Sequence, residues 1–188
     1  GLFNALKNDE GFLGTVEFWP QEGKYHMDGH RTCKVCLSPE GTRKLNGLCP
    51  VCGKPLTLGV MYRVSELADR KQPDYIHTKQ QVWSLTPLSS LLCEIHNVKN
   101  PGSKKVQSHY MDLIARFGPE FKLLLDTPVK ELARHEELVA EGIRRLRQRE
   151  VLIQDGFDGQ FGRIRAFTPE EIKSRNMLSL FSFPGKKA

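Results

Sequence analysis

Apolar residues recur every three or four positions through the second half of the chain, the spacing at which side chains share one face of a helix. Three such stripes lie between positions 86 and 149. Their members are Leu88, Leu91, Leu92 and Ile95 in the first, Val106, Tyr110, Leu113, Ile114 and Phe117 in the second, and Leu138, Val139, Ile143 and Leu146 in the third. We predict that these stripes are the core faces of a small helical bundle.

Three threonines, Thr86, Thr127 and Thr168, each precede a proline. A threonine hydroxyl can accept hydrogen bonds from the free N–H groups at a helix start, and proline is tolerated at the first helical position. We therefore predict that a helix begins at each Thr-Pro pair. Gly118 is predicted to end the helix that carries the second stripe.

The rest of the chain has a mixed pattern. Residues 13–19 are typical of a strand, and helical spacing returns from Val60. Residues 71–85 are polar, contain proline and show no period, so we expect a connector there. Apolar residues flank the glycine-rich run 156–162, which predicts a β-hairpin over residues 151–167.

Four cysteines form two Cys-x-x-Cys pairs, Cys33 with Cys36 and Cys49 with Cys52. This spacing predicts that four thiolates hold one structural Zn²⁺ ion, with no open position for water. Disulfides would need an oxidising compartment, and a redox Cys-x-x-Cys motif normally occurs singly. The fifth cysteine, Cys93, lies among apolar residues and is predicted to be a small core residue.

The formal net charge is +6, which favours a polyanionic partner such as DNA, although an ordinary basic surface would give the same total. Two lysines open the predicted helix of the second stripe, where an anion could bind free N–H groups. Arginines cluster at the end of the third helix, where they could also compensate the helix dipole. The candidate DNA-binding residues are Lys104, Lys105, Arg144, Arg145, Arg163 and Arg165.

Two polar and aromatic clusters are candidates for contact with a distorted nucleotide. One precedes the cysteines and comprises His26, Asp28 and His30; the other lies on the glycine-rich run and comprises Phe157, Asp158 and Phe161. The first could contact a phosphate or a metal, and the second could wedge into a base stack or line a pocket for an extruded base. Alternatively, the first is a hydrogen-bonded turn that supports the cysteine loop, and the aromatics of the second fold back on the core.

In combination, several motifs resemble the endonuclease Q family. They lie at residues 14–31, 33–40, 49–57, 64–70, 102–106 and 156–162. The resemblance implies a DNA repair nuclease that cleaves on the 5′ side of deaminated bases (uracil, hypoxanthine, xanthine) and of abasic sites. It also implies an N-terminal metal-dependent phosphoesterase domain of the PHP type, a zinc domain and a helical region.

The metal-binding His, Asp and Glu motifs of that phosphoesterase domain do not occur in these 188 residues. The resemblance therefore assigns the zinc ligands, Cys33, Cys36, Cys49 and Cys52, but no catalytic residue. We expect the phosphoesterase domain of the same protein to be a partner, and we expect the 188 residues to bind DNA without cutting it. The absence of a leader and of a membrane-spanning run favours a cytoplasmic protein, associated with the bacterial nucleoid.

The run from Met177 to Phe181 resembles the short motif with which bacterial proteins bind the sliding clamp. Met177, Leu178, Ser179, Leu180 and Phe181 would form that motif, with Met177 in place of the usual glutamine. An apolar run near a basic end suits a peptide that enters a pocket on a partner. The alternative is the end of a terminal helix packed on the core.

The predicted fold class is mainly α, with a small β subdomain around the zinc knuckles and a C-terminal β-hairpin. We divide the chain into a zinc subdomain (1–70), a connector (71–85), a helical DNA-binding region (86–176, with the hairpin at 151–167) and a tail (177–188). The leading hypothesis is the lesion-recognition part of an endonuclease. The competing one is a non-enzymatic zinc-containing module attached to a nuclease or helicase.

Overall fold

The structure is a computed structural model that describes residues 1–70 and 81–174. The chain forms two compact units. Unit 1 comprises Gly1–Leu85 and Ile153–Arg163, and unit 2 comprises Thr86–Leu152 and Ile164–Ala188. None of the helices in the described ranges is both long and apolar enough to cross a membrane.

Unit 1 is built from short elements. They are α1 (Leu2–Asn8), β1 (Gly14–Phe18), β2 (Asp28–His30), β3 (Val35–Leu37), α2 (Pro39–Lys44), α3 (Val60–Leu67) and β4 (Gln81–Leu85), with 3₁₀ turns at Pro20–Glu22 and Arg31–Cys33. β2 and β3 pair antiparallel, so Gly29 lies opposite Cys36. Ser38 caps α2, because its Oγ accepts a hydrogen bond from the Gly41 N–H at 3.2 Å.

The last five residues of the predicted connector form a strand instead. Residues 81–85 form β4, which pairs in parallel with β1 from Gly14 opposite Gln81 to Phe18 opposite Leu85. The polar residues 71–80 before it concealed the strand, although Val82, Trp83 and Leu85 are apolar. The other connector residues, 71–80, lie outside the described residues.

Unit 2 is the predicted helical bundle. Its helices are α4 (Leu88–His96), α5 (Lys104–Phe117), α6 (Val129–His135) and α7 (Glu137–Gln148), with a π-helical turn at Lys122–Asp126 and a further helix whose described part is 169–174. Each predicted stripe supplies buried side chains: Leu88, Leu91, Leu92 and Ile95; Val106, Leu113 and Phe117; Val139, Ile143 and Leu146. The mainly α fold class with small two-stranded sheets is therefore confirmed.

The three Thr-Pro pairs do not act alike. Thr168 caps the helix that follows, because its Oγ1 accepts from the Glu171 N–H at 3.1 Å while a Glu171 carboxylate oxygen accepts from the Thr168 N–H at 2.7 Å. The capping prediction is wrong for Thr86 and Thr127. Their helices begin one residue after the proline, and the Thr127 hydroxyl instead donates to the Lys122 carbonyl.

The predicted hairpin is present as β5 (Leu152–Gln154) and β6 (Arg163–Arg165), which form one two-stranded sheet. The whole hairpin is predicted to lie in the helical region. In the structure, Ile153–Arg163 belongs to unit 1. The physical reason is a set of backbone hydrogen bonds between this loop and residues 21–27, described below.

Candidate metal centre and adjoining pocket

Four ligand-type side chains of unit 1 meet at one point. His30, Cys33, Cys49 and Cys52 each place one ligand atom so that all four atoms lie within 4.8 Å of one another. The Nδ1 atom of His30 lies 3.4 Å from the Sγ atom of Cys52. This arrangement could hold one metal ion.

Two tight turns bring these side chains together. β2 ends at His30, and the 3₁₀ turn that follows ends at Cys33, where Lys34 reverses the chain with a φ of 55°. The second turn is closed by a hydrogen bond from the Gly53 N–H to the Cys49 carbonyl at 2.8 Å. Gly53 has a φ of 69°, which glycine adopts without a steric penalty.

The fourth member of the cluster differs from the residue that the sequence predicts. Cys36 is exposed and lies outside the four-residue cluster, where His30 stands in its place. His30 and Cys33 have the same spacing as the two members of a Cys-x-x-Cys pair, so the chain carries two overlapping knuckles. This H-x-x-C spacing was the available signal, and the stronger cysteine pattern concealed it.

The donor set fits zinc. One imidazole and three thiolates form a closed tetrahedral set typical of structural zinc sites. Burial raises the pKa of the Cys33 thiol, and the neighbouring Cys52 and Cys49 sulfurs raise it further. Burial also opposes ionisation of Cys49, but hydrogen bonds from the backbone at Val51 and Cys52 and from His30 lower its pKa. A bound cation would stabilise all three thiolates at once.

Two aspartates of the candidate nucleotide-contact clusters accept hydrogen bonds from residues of unit 1. Asp28 is fully buried, and its Oδ1 atom accepts from the Gly59 N–H at 2.7 Å. Asp158 accepts from the Arg31 N–H at 2.6 Å and from the Thr57 hydroxyl at 2.7 Å. These two hydrogen bonds lower the pKa of Asp158. Asp158 therefore ties the glycine-rich loop to the turn that carries the metal ligands.

The glycine-rich loop packs closely on residues 21–27. Gly156 donates to the Gln21 carbonyl at 2.8 Å, and Gly162 donates to the Glu22 carbonyl at 3.1 Å. A Cβ atom at either glycine would overlap those backbone segments. The glycines thus permit close approach of two backbones, and the loop is docked along its length.

The aromatic residues of this loop have opposite environments. Phe157 is buried, and its ring lies so close to Gly29 that a Cβ atom there would overlap it. Phe161 is 66% exposed, and the Lys24 ammonium lies 4.6 Å from its ring centroid. Phe157 therefore folds back on the core, as the alternative interpretation expects, whereas Phe161 stays at the surface.

A pocket of about 670 Å³ opens beside the metal cluster, within unit 1. It is lined by Arg31, Lys34, Cys36, Gln154, Asp155, Phe157, Gly159 and Gln160. The lining combines two cations, one carboxylate, two amides, one thiol, one glycine and one aromatic wall, and the volume is within the usual range of ligand pockets. Of these residues the sequence had singled out only Cys36 and Phe157. The remaining lesion candidate, His26, pairs with Asp155 at 3.4 Å.

The predicted DNA-binding residues divide into two groups. Arg144 and Arg145 already have carboxylate partners: Arg144 binds Glu141 and Glu150, and Arg145 binds Glu141 and Glu171, all at 2.8–2.9 Å.

The side chains of the other four predicted DNA-binding residues differ in their exposure to solvent. Lys104, Lys105 and Arg163 are exposed, and Arg165 is half-buried. Contact of the six residues with DNA stays a prediction.

Comparisons with known proteins give consistent results. A sequence-family profile described as the MJ0043 C-terminal domain matches residues 87–150. The uncharacterised protein MJ0043 of Methanocaldococcus jannaschii is 30% identical over 169 residues, which is 90% of this chain and 21% of that protein.

Two solved structures share the fold. The lesion-specific endonuclease Q of Pyrococcus furiosus matches with a TM-score of 0.77 and 28% identity, over 97% of this chain and 45% of that chain. Endonuclease Q in complex with a 27-mer duplex that carries an abasic lesion at the active site matches with a TM-score of 0.72 and 29% identity, over 91% of this chain and 42% of that chain.

The chain therefore spans less than half the length of the relatives that it matches. Within that part, both structures share the fold of this chain and are 28–29% identical to it. The resemblance to the endonuclease Q family is confirmed: this chain is similar in fold, over 97% of its length, to 45% of the P. furiosus enzyme.

Proposed function

We propose that this chain is the DNA-binding and lesion-recognition part of an endonuclease that cleaves 5′ of deaminated bases (uracil, hypoxanthine, xanthine) and of abasic sites. The observation that carries the proposal is the fold shared with endonuclease Q, one structure of which holds a duplex with an abasic lesion. The basic charge of the chain suits the same partner.

The pocket of unit 1 and the exposed edge of the glycine-rich loop carry side chains that suit contact with phosphates and bases. Arg31 and Lys34 on the pocket wall can bind phosphate oxygens, and the buried Phe157 offers an apolar wall. Phe161 and Lys24 together present an aromatic ring and a cation at the surface. An exposed aromatic of this kind can stack on a base or hold open a distorted step.

The metal centre has a structural role in this proposal. We propose Zn²⁺ as its ion, held by His30, Cys33, Cys49 and Cys52. Because four protein ligands fill a tetrahedral site, no position is left to activate a water molecule. The ion instead fixes the turn that carries Arg31 and Lys34. Hydrolysis then belongs to a separate metal-dependent phosphoesterase domain, which we propose as the partner of this chain.

Unit 2 would contribute contacts to the DNA backbone. Lys104 and Lys105 are exposed in the first turn of α5, where the helix dipole already favours an anion. Arg144 and Arg145 contribute less, because their guanidinium groups are held by carboxylates of the same unit.

Charge reversal tests this role. The double variant Lys104→Glu and Lys105→Glu is expected to weaken duplex binding about tenfold or more, because two phosphate contacts are lost. The slope of log affinity against log salt concentration should become shallower by about 2. Fluorescence anisotropy of a labelled duplex, measured across a salt series, gives both values.

Lys130→Glu, an exposed lysine on α6, is the matched control for charge reversal in unit 2. If the double variant keeps the wild-type affinity and salt slope, the proposed backbone contact is wrong. If the wild-type chain shows no salt-dependent DNA binding, the competing hypothesis of an interaction module gains support.

We also propose that residues 177–181 bind the sliding clamp. The resemblance of this run to the clamp-binding motif supports the proposal. Residues 177–181 lie outside the described residues.

A further inference from the structure

Three titratable side chains form a continuous chain of hydrogen bonds in unit 2. The Nε2 atom of His96 lies 2.8 Å from the Nδ1 atom of His109, and the Nε2 atom of His109 lies 2.6 Å from a carboxylate oxygen of Glu136. His96 ends α4, His109 lies on α5, and Glu136 lies between α6 and α7. The chain therefore links three parts of the bundle, and it is separate from the metal cluster and the pocket.

The carboxylate determines which ring nitrogens carry protons. An ionised carboxylate only accepts hydrogen bonds, so the Nε2 atom of His109 donates to Glu136. The Nδ1 atom of neutral His109 then has a lone pair, which accepts from the Nε2–H group of His96. The other nitrogen of the half-buried His96, Nδ1, has no hydrogen-bond partner among the described residues. A proton bound there charges His96 without breaking either hydrogen bond.

Lys105 places a second cation beside His96. It precedes His109 by one helical turn on α5, so the two side chains lie on the same side of that helix. Lys105 is exposed and forms no ion pair within the described part of the chain. Burial lowers the pKa of His96, and the positive charge of Lys105 lowers it further. Two cations so placed repel each other, and an anion bound to both offsets the repulsion.

We propose that His96 and Lys105 form a proton-dependent binding site for a phosphate of the DNA backbone. Charged His96 donates from Nδ1 to a phosphate oxygen, and Lys105 supplies the second positive charge. His109 and Glu136 act as positioning residues that orient the His96 ring. Binding at this site takes up a proton from solvent. This inference rests on the proposed function, because it adds a residue to the proposed backbone contact of α5.

Other titratable groups near this site also respond to pH. Glu94, on the same helix as His96, accepts from two backbone N–H groups, and burial raises its pKa to about 7. His135 on α6 pairs with Asp112 on α5 at 3.5 Å. These groups are the same in a protein that lacks only His96. The difference between wild type and a His96 variant therefore isolates the site.

The test measures duplex affinity by fluorescence anisotropy at about pH 8 and about pH 6, below the ordinary pKa of histidine. On acidification, wild type is expected to gain about fivefold more affinity than His96→Gln, whose amide can still donate to His109. Its slope of log affinity against log salt concentration should steepen by about 1 relative to that variant, because one more phosphate is neutralised. Glu136→Gln should move the gain to lower pH, because it removes a negative charge that favours charged histidine.

His135→Gln is the matched control, because it removes a histidine of the same unit that lies outside the hydrogen-bonded chain. It should keep the wild-type gain. Circular dichroism and metal content at both pH values establish that each variant is folded. An equal gain in wild type and His96→Gln would overturn the inference. So would a loss in His135→Gln as large as that in His96→Gln.

Inorganic phosphate distinguishes the DNA backbone from a free anion as the ligand. By NMR of the histidine rings, the duplex should raise the pKa of His96 more than inorganic phosphate at an equal phosphate concentration. The reverse order would overturn the DNA backbone as the ligand. Salt-dependent duplex binding at about pH 8, where His96 is largely uncharged, separates failure of this site from failure of the proposed function.

Discussion

Cys33→Ser and Cys49→Ser are each expected to remove the metal ion and to unfold unit 1, whereas Cys36→Ser should retain one ion per chain. The reason is the ligand set, in which Cys33 and Cys49 belong to the cluster and Cys36 does not. Structural zinc contributes on the order of 10 kcal/mol to the folding of small zinc domains, so loss of one ligand has a large effect. Metal content by mass spectrometry and thermal unfolding measure the two results.

His30→Ala completes this comparison. It should behave like the two cluster cysteines and reduce the bound metal, while Cys36→Ser keeps the unfolding temperature of the wild type. If Cys36→Ser loses the ion and His30→Ala keeps it, the four-thiolate site predicted by the sequence is correct and the structure misassigns the fourth ligand. Hydrogen exchange of the variants that lose the ion then shows whether unfolding is confined to unit 1.

Arg145→Ala should destabilise unit 2 by about 2–3 kcal/mol and leave duplex affinity unchanged. The Arg145 guanidinium binds Glu141 and Glu171, and also donates to the Ala166 carbonyl at 2.8 Å. It also lies 4.9 Å from the centre of the Phe167 ring. Its removal takes away the donor to the Ala166 carbonyl and one donor from each carboxylate, although Glu141 keeps Arg144 and Glu171 keeps the Thr168 N–H. Denaturant unfolding measures the destabilisation.

Arg134→Ala is the control, because Arg134 is an exposed arginine on α6. It should change the free energy of unfolding by less than about 0.5 kcal/mol. A folded Arg145→Ala protein with wild-type stability but much weaker DNA binding would contradict the structural role, and would restore Arg145 to the DNA surface.

Local patterns in the sequence predicted unit 2 well. The stripes through Leu91, Leu113 and Ile143 became buried helix faces, because helical periodicity depends on neighbours within one or two turns. The strand β4 could not be found in this way. Val82 and Trp83 are of types enriched in strands, but the run is short and its pairing with β1 spans a long intervening segment.

The candidate site was predicted in part. The cysteine spacing located the candidate metal centre, but it gave no reason to expect His30 in the cluster in place of Cys36. The glycine-rich run was recognised, but its glycines serve close backbone approach rather than a free loop. The pocket residues Arg31 and Lys34 were missed, because only the folded turn brings them to the same wall.

The central claim is that this chain recognises damaged DNA and does not itself cut it. The most direct measurement compares the affinity of the zinc-loaded chain for a duplex with one abasic site and for the same duplex without it, with strand integrity followed in the same samples. The account predicts binding that is about tenfold tighter to the abasic duplex, weakens with salt and leaves both strands intact. Equal affinity for the two duplexes, or metal-dependent cleavage by the chain alone, would contradict it.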